Sequence, residues 1–425
     1  MKKLWMSEFG KSVATLVSGS LVAQILGIIS ILTLPRLYDD VHFGFFGFFV
    51  ATVAIVVVVI NGGYEHAIML PDEEPVSRSL TALSLWIAVA GSGLVLLVLV
   101  LWGKAILRLG DVAGLYGWHY AIPLSILLEG ISQPFRTLLN RNESYRLLSF
   151  SKIARALVLV IVSVVLGLKN MGFAGLIAGY IAGQVAGFGV LLAGLKKDHW
   201  SFDTWLRWKN LKHAGSQFID FPRYSVASAW LNTASKHLPY YLLIPMFDAG
   251  VAGQFGQADR VLTLPVVLIS MSVGTVYFQH ASRAFQESGA ALSKITIQTF
   301  IRLLIPAIPF LLITMIWGPS LFAWVLGEEW RTAGVYARWM MPWMFMVFMA
   351  SPLSYLIDIR RKLREFLWYN IGLFSVRLAA LWVGGRYFSA EEAMMIYGFS
   401  GMAMVGLQLG YLLYIGGVWG RKDIA

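Results

Sequence analysis

Asp259 and Arg260 stand side by side in the stretch GQADRVLTLP, at the head of a run of mostly apolar residues. Adjacent helical residues point about 100° apart, so the two are poorly placed to neutralise one another and each needs a further partner. Glu129, Lys236 and Arg377 also interrupt apolar stretches. Lys236 belongs to the series Ser225, Ser228, Asn232, Ser235, Lys236 and Pro239, which recurs every three or four residues and forms one polar stripe of a helix. A lysine in that setting faces protein or water, because placing it in hydrocarbon costs at least about 2.5 kcal/mol. Lys236, Arg260 and Arg377 all come from the second half of the chain, and cations grouped at membrane depth suit an anionic headgroup such as a phosphate. Ion pairing with Glu129 and Asp259 is the alternative use of the same charges.

The residue types offer little support for other chemistry. There is no cysteine, which excludes disulfides and thiolate metal sites. The seven histidines are scattered, without a paired spacing that grips a metal. No Walker loop occurs, and no segment outside the apolar runs is large enough to house a nucleotide or sugar-donor site, so neither an enzyme centre nor a cofactor is expected. Asp72, Glu73 and Glu74 in PDEEP read as a solvated turn.

The elements that must position these residues are membrane helices. Of 425 residues, 58% are hydrophobic and 13% charged, against about a quarter charged in a soluble domain. The mean hydropathy is +0.68. Crossing the hydrocarbon takes about 20 apolar residues. Twelve segments qualify: 12–35, 43–64, 80–102, 118–139, 150–168, 172–194, 224–246, 252–277, 298–318, 336–357, 366–384 and 394–416. The first, after Lys2, Lys3 and Lys11, exceeds the about 7–15 apolar residues of a cleaved signal and reads as a span. At about 1.5 Å per residue, Lys236, Arg377 and Glu129 come near the midplane, and Asp259 and Arg260 lie some 10–12 Å deep. Placing the N-terminus inside puts 23 of the 34 Lys and Arg residues in cytoplasmic loops or ends, 7 on the opposite face and 4 within spans. That asymmetry is what the positive-inside rule requires, and it accounts for the net charge of +11 without nucleic acid.

The spans fall into two sets of six, which suggests a duplication. Helix one ends PRLYDDVHFGFFG and helix seven ends PMFDAGVAGQFGQ, so that Pro35, Asp39 and Phe46-Gly47 correspond to Pro245, Asp248 and Phe255-Gly256 within one residue of spacing. The expected organisation is an N-lobe over 1–200, a linker over 201–223 and a C-lobe over 224–425. The stretch 195–223 is basic, aromatic and amphipathic, and is expected to lie on the anionic cytoplasmic leaflet. Helix six carries Gly175, Gly179, Gly183 and Gly187 at four-residue spacing, a ridge that lets a neighbouring backbone approach.

Three stretches resemble the bacterial polysaccharide flippases of the multidrug/oligosaccharidyl-lipid/polysaccharide transporter superfamily. They are GYEHAIMLPDEE, EGISQPFRTLLNRNESYRLLSFSKIARAL and LFAWVLGEEWRTAGVYARWMMP. ADRVLTLP is similar to the eighth-helix segment of the lipid II flippases, where the arginine engages the substrate's pyrophosphate; the match puts that role on Arg260, with Asp259 as its orienting neighbour. Unlike that branch, this chain has twelve expected spans rather than fourteen, and helix one lacks its arginines. The resemblance implies an all-α membrane protein, two pseudo-repeated six-helix lobes around a central cavity, in the bacterial inner membrane with both termini cytoplasmic. It implies a substrate of undecaprenyl-pyrophosphate-linked oligosaccharide for O-antigen or exopolysaccharide synthesis. Arg260, Lys236, Arg377 and Asn232 would bind the headgroup, with Glu129 tuning charge or carrying a coupling proton; sodium is the other candidate ion. Membrane lipid, a polysaccharide polymerase and glycosyltransferases would be the partners. A multidrug antiporter of the same superfamily is the rival reading, as is a lipid II flippase. A drug antiporter calls for anions in its cavity, whereas the excess here is cationic.

Overall fold

The computed structural model describes residues 19–194, 208–287 and 289–418. Lys2, Lys3, Lys11, Lys196, Lys197, Arg207, Arg421 and Lys422, and the first part of the 195–223 stretch, lie outside the described residues. Among those described there is no strand, and each of the twelve expected spans coincides with a long helix. The first unit holds α1 (Gly19–Arg36), α2 (Asp40–Ile60), α3 (Glu74–Leu109), α4 (Ala121–Arg141), α5 (Tyr145–Leu168) and α6 (Phe173–Ala193). Then come α7 (Val226–Met246), α8 (Ala249–Glu287), α9 (Gly289–Leu326), α10 (Arg331–Leu353), α11 (Leu363–Tyr387) and α12 (Ala390–Ile415).

Nine helices among the described residues are long and apolar enough to cross a membrane by composition alone. A tenth is α8, whose parts Ala249–Ile269 and Val273–Glu287 meet at 41°. The helices that do not stand out by apolarity are α4 and α7. They carry Glu129, Arg136, Asn232 and Lys236, and those side chains are what lowers their hydropathy. At about 1.5 Å per residue, the 38 residues of α9 and 39 of α8 extend over some 57 Å, well beyond a hydrocarbon core of about 30 Å.

The chain divides into two compact units, residues up to Tyr240 and residues from Tyr241 on. The division falls inside α7. Most of that helix packs with the first unit, where Gly47 of α2 lies against the Tyr240 ring and Gly63 against Val226. The helix Trp208–Gln217 also belongs there, and it differs from the expectation of a segment resting on lipid. Ala214 joins a cluster with Tyr64, Ala67, Ile68 and Leu80, and the Tyr64 hydroxyl donates to the Gly215 carbonyl at 3.1 Å. Its apolar side is covered by protein, while Trp208, Lys209 and Lys212 remain exposed. The apolar side satisfies its hydrophobicity against α3, which leaves only the basic side for an anionic surface.

The proposed duplication has a local structural counterpart. Asp39 caps α2 by accepting from the His42 backbone N–H at 2.8 Å, and Asp248 caps α8 by accepting from that of Val251 at 2.8 Å. Two matched aspartates thus perform the same capping three residues ahead, each satisfying a donor that a helix start leaves open. The glycine ridge of α6 is where the sequence puts it. A Cβ built on Gly183 would stand 2.6 Å from the carbonyl oxygen of Arg155, and one on Gly187 would stand 3.1 Å from the Arg155 Cβ. Gly179 meets Ser163 and Gly175 meets the Tyr38 hydroxyl, so α5 and α6 are packed backbone to backbone along their length.

Candidate functional site

Glu129 is fixed by its helix before any charge is considered. Pro134 in α4 cannot donate to the carbonyl of Gly130, and Asn61 Nδ2 donates there instead at 2.9 Å. Gly130 has no Cβ, which lets Ile60 and Ala88 approach to 3.1 Å of the position one would take. With the backbone held so, the Glu129 carboxylate accepts from two arginines. Arg136, two turns along α4 on the same face, contacts Oε1, and Arg155 Nη1 of α5 contacts Oε2 at 2.6 Å. Gln184 of α6 approaches Oε2 at 3.5 Å while donating to the Ser125 carbonyl at 3.3 Å. The Arg155 guanidinium also lies over the Tyr180 ring at 5.7 Å. Glu129 retains 14% of its side-chain exposure and the two arginines about twice that, so the cluster is partly open and carries one surplus positive charge.

The second unit holds a related arrangement. Arg377 of α11 is buried, with its guanidinium 4.7 Å from the centre of the Trp343 ring of α10. Trp343 packs edge-on against Tyr397 of α12 at 5.3 Å, and Phe255 of α8 meets Tyr397 at 6.1 Å. Phe255 and Asp259 are one turn apart, so α8 presents an aromatic edge and a carboxylate on one face. Desolvated arginine over tryptophan is worth about 2 kcal/mol, which offsets part of the cost of removing the cation from water.

The two clusters share an edge-on Phe–Tyr pair. Phe46 meets Tyr180 edge-on at 6.0 Å in the first unit, as Phe255 meets Tyr397 in the second. Arg155 on the fifth helix lies over the first tyrosine, whereas Arg377 on the eleventh lies over Trp343, which packs on the second. The fixed charges then differ. In the first unit they come from α4, as Glu129 and Arg136; in the second they come from α8, as Asp259 and Arg260, where the matched positions of α2 hold Val50 and Ala51.

Of the residues read from the sequence, Arg377, Asp259 and Arg260 lie in the second unit, Arg377 buried on the Trp343 ring and the Asp259–Arg260 pair half-buried on α8. Glu129 belongs to the other unit with Arg136 and Arg155. Lys236 and Asn232 lie in the first unit, on an exposed face of α7. Ser235 is buried instead, so the polar series of α7 is split between two faces. Sequence reasoning missed Arg155, Tyr180, Gln184, Trp343 and Tyr397. Arg155 falls within the fifth expected span, 150–168, and that depth was the available signal.

Comparison with known proteins follows from this geometry. The chain matches the family described as polysaccharide biosynthesis protein over residues 33–334. No curated protein matches it in sequence. Its fold is similar to that of the lipid II flippase MurJ in an inward closed conformation, with a TM-score of 0.74 at 12% identity over 93% of this chain and 86% of that one. It is similar to an inward-facing multidrug resistance MATE family transporter of the MOP superfamily, with a TM-score of 0.68 at 10% identity over 97% and 96%. It is also similar to a MOP superfamily transporter from Pyrococcus furiosus noted for reverse polarity of its binding pocket, with a TM-score of 0.62 at 9% identity over 96% and 95%. The helical pattern is that of the MurJ/MATE fold, a multi-span membrane transporter architecture. The chain belongs to the polysaccharide biosynthesis protein family.

Proposed function

We propose that this protein is a flippase that carries an undecaprenyl-pyrophosphate-linked oligosaccharide across the bacterial inner membrane, for O-antigen or exopolysaccharide synthesis. The observation that carries the reading is the setting of Arg377. A guanidinium buried at membrane depth on the face of Trp343 is a preformed donor for a phosphate oxygen. Arg260, Arg377, Lys236 and Asn232 bind the headgroup, and Asp259 orients Arg260. In the first unit Glu129 tunes the charge of Arg136 and Arg155. It is also the group that would accept a coupling proton; sodium is the alternative ion. The lipid tail stays in the bilayer while the polar head moves, because each unsatisfied polar group in hydrocarbon costs several kcal/mol. Both termini are cytoplasmic in this reading, and a polymerase and glycosyltransferases act on the same intermediate.

Similarity to the lipid II flippase supports a second reading, in which lipid II is the cargo. One experiment separates the readings. In a strain deleted for this gene, undecaprenyl-linked oligosaccharides are extracted and their sidedness assayed beside that of lipid II. Completed oligosaccharide units should accumulate on the cytoplasmic face, relieved by wild type but not by Arg260→Ala or Arg377→Gln at equal membrane abundance. Retention of lipid II alone would move the assignment to that substrate. Normal translocation of both, with altered drug susceptibility, would return the drug antiporter.

A further inference from the structure

A second recess in the second unit shares no residue with the Arg377 cluster. It is a cavity of about 570 Å³ between α8 and α9. From α8 it takes Val273, Tyr277 and His280, and from α9 Gln298, Thr299 and Arg302, with Leu303 and Pro306 continuing the α9 stripe. Spacings of three, four and seven residues put each set on a single helix face. The Tyr277 hydroxyl is 2.9 Å from Thr296 Oγ1 and closes the wall behind the recess. Among the described residues, His280, Gln298 and Arg302 have no ion-pair or hydrogen-bond partner, and all three are exposed. The recess therefore has a polar end with an uncommitted cation and an apolar end formed by Val273, Leu303 and Pro306.

We propose that this recess binds an anionic phospholipid of the surrounding bilayer, its phosphate on Arg302 and its acyl chain along Val273, Leu303 and Pro306. Arg302 lies four residues inside the expected span 298–318, at the edge of the hydrocarbon. Helical side chains lean toward the N-terminus of their helix, so Arg302 reaches from α9 toward the α8–α9 connection, the cytoplasmic end in the orientation proposed above. That is headgroup level, where anionic lipid concentrates. Arg302 is the one permanently charged side chain in the lining. A single guanidinium with neutral amide and hydroxyl donors matches the single negative charge of a phosphodiester, whereas a pyrophosphate brings more charge than this lining neutralises. The site does not depend on the identity of the transported substrate.

The test uses the full-length protein in detergent, titrated with phosphatidylglycerol or with phosphatidylcholine of the same chains, and read by native mass spectrometry and by thermal unfolding. One phosphatidylglycerol should be retained in preference to phosphatidylcholine and should raise the melting temperature. Arg302→Gln should weaken that binding about tenfold or more, the loss of one charge-assisted contact. Arg302→Lys, which keeps the charge, should lose less, and it serves as the folded comparison if the glutamine variant melts early on its own. Arg283→Gln and Lys294→Gln remove exposed cations of the same two helices that do not line the recess, and should bind as wild type does. Equal retention of phosphatidylcholine would overturn the proposal. So would an equal loss in the two control variants, which would indicate only surface charge. Displacement of the retained lipid by inorganic phosphate would reduce the site to a free-anion site. Preferential displacement by undecaprenyl pyrophosphate, lost in Arg302→Gln, would reassign the recess to the polyprenyl carrier.

Discussion

Substituting Gly183 with alanine tests whether α5–α6 packing and the Glu129 cluster are one structure. The added methyl would stand 2.6 Å from the Arg155 carbonyl oxygen and 3.0 Å from the Leu159 Cβ. Ordinary contact begins near about 3.5 Å, so α6 must withdraw from α5 by roughly 0.5–1 Å. Forcing a methyl into a packed interface costs about 1–3 kcal/mol. Any share of that displacement taken up by Arg155 on α5 lengthens its 2.6 Å contact with Glu129 toward about 3.1–3.6 Å, from ordinary hydrogen-bond range to beyond it. Gly189 is the internal control, because a Cβ there meets nothing within 4 Å. Alanine at Gly189 should be neutral or gain up to about 1 kcal/mol of helix propensity. The two variants, identical in chemistry and six residues apart on one helix, should thus separate by about 1–4 kcal/mol. Thermal unfolding in detergent ranks them, and complementation of polysaccharide export reads the functional side. If Gly183→Ala melts and exports as Gly189→Ala does, the close approach is not limiting and the reasoning fails.

Glu129→Gln leaves Arg136 and Arg155 without their shared carboxylate. Breaking a buried pair costs about 3–5 kcal/mol, and less is expected here because both arginines keep roughly a third of their exposure, so a melting loss near the low end of that range should accompany lost export. Trp343→Leu removes the ring under Arg377 and should lower stability by more than the about 2 kcal/mol of the cation–π contact, since the edge-on packing with Tyr397 goes with it; Trp343→Phe should restore part, and equal melting of the two would count against the contact. Burial raises the Glu65 carboxyl above its ordinary 4.5, against the opposing pull of its own backbone N–H and of His66. A raised carboxyl favours the protonated fold, so the contribution of Glu65 is present at low pH and is lost as pH rises through the raised value. Wild type should lose melting temperature over the range just above pH 4.5 more steeply than Glu65→Gln; parallel curves would exclude Glu65 as the titrating group.

The sequence carried the helices and the chemistry class further than it carried the partners. Among the described residues the twelve apolar runs coincide with long helices, because spanning length is a property a linear reading can count. The ridge of α6 was legible for the same reason, four glycines on one face. The matched caps at Asp39 and Asp248 were legible because capping depends on a few consecutive residues. Tyr180 and Tyr397 were not visible, since an aromatic residue in an apolar helix looks the same whether it faces lipid, core or an arginine. Glu129 was assigned to a set of cations from the other half of the chain, although Arg136 stood two turns along its own helix. Depth by residue count ranks residues along a membrane normal and says nothing about which helices stand next to each other. The split series of α7 has a related cause: Ser235 and Lys236 are adjacent, so their side chains point about 100° apart at opposite edges of the stripe.

The α5–α6 ridge also bears on how this protein is made. Its contacts join residues 145–168 to residues 173–193 across a four-residue connection, in which Asn170 and Gly172 take positive φ to reverse the chain. Contacts so close in sequence close quickly and need nothing from the later helices. A chain delivered to the bilayer from its N-terminus can thus assemble this pair before α7 emerges. A bulky residue in the ridge would then do its damage at the earliest assembly step, as reduced yield and rapid turnover of new chains, before any transport defect could be measured.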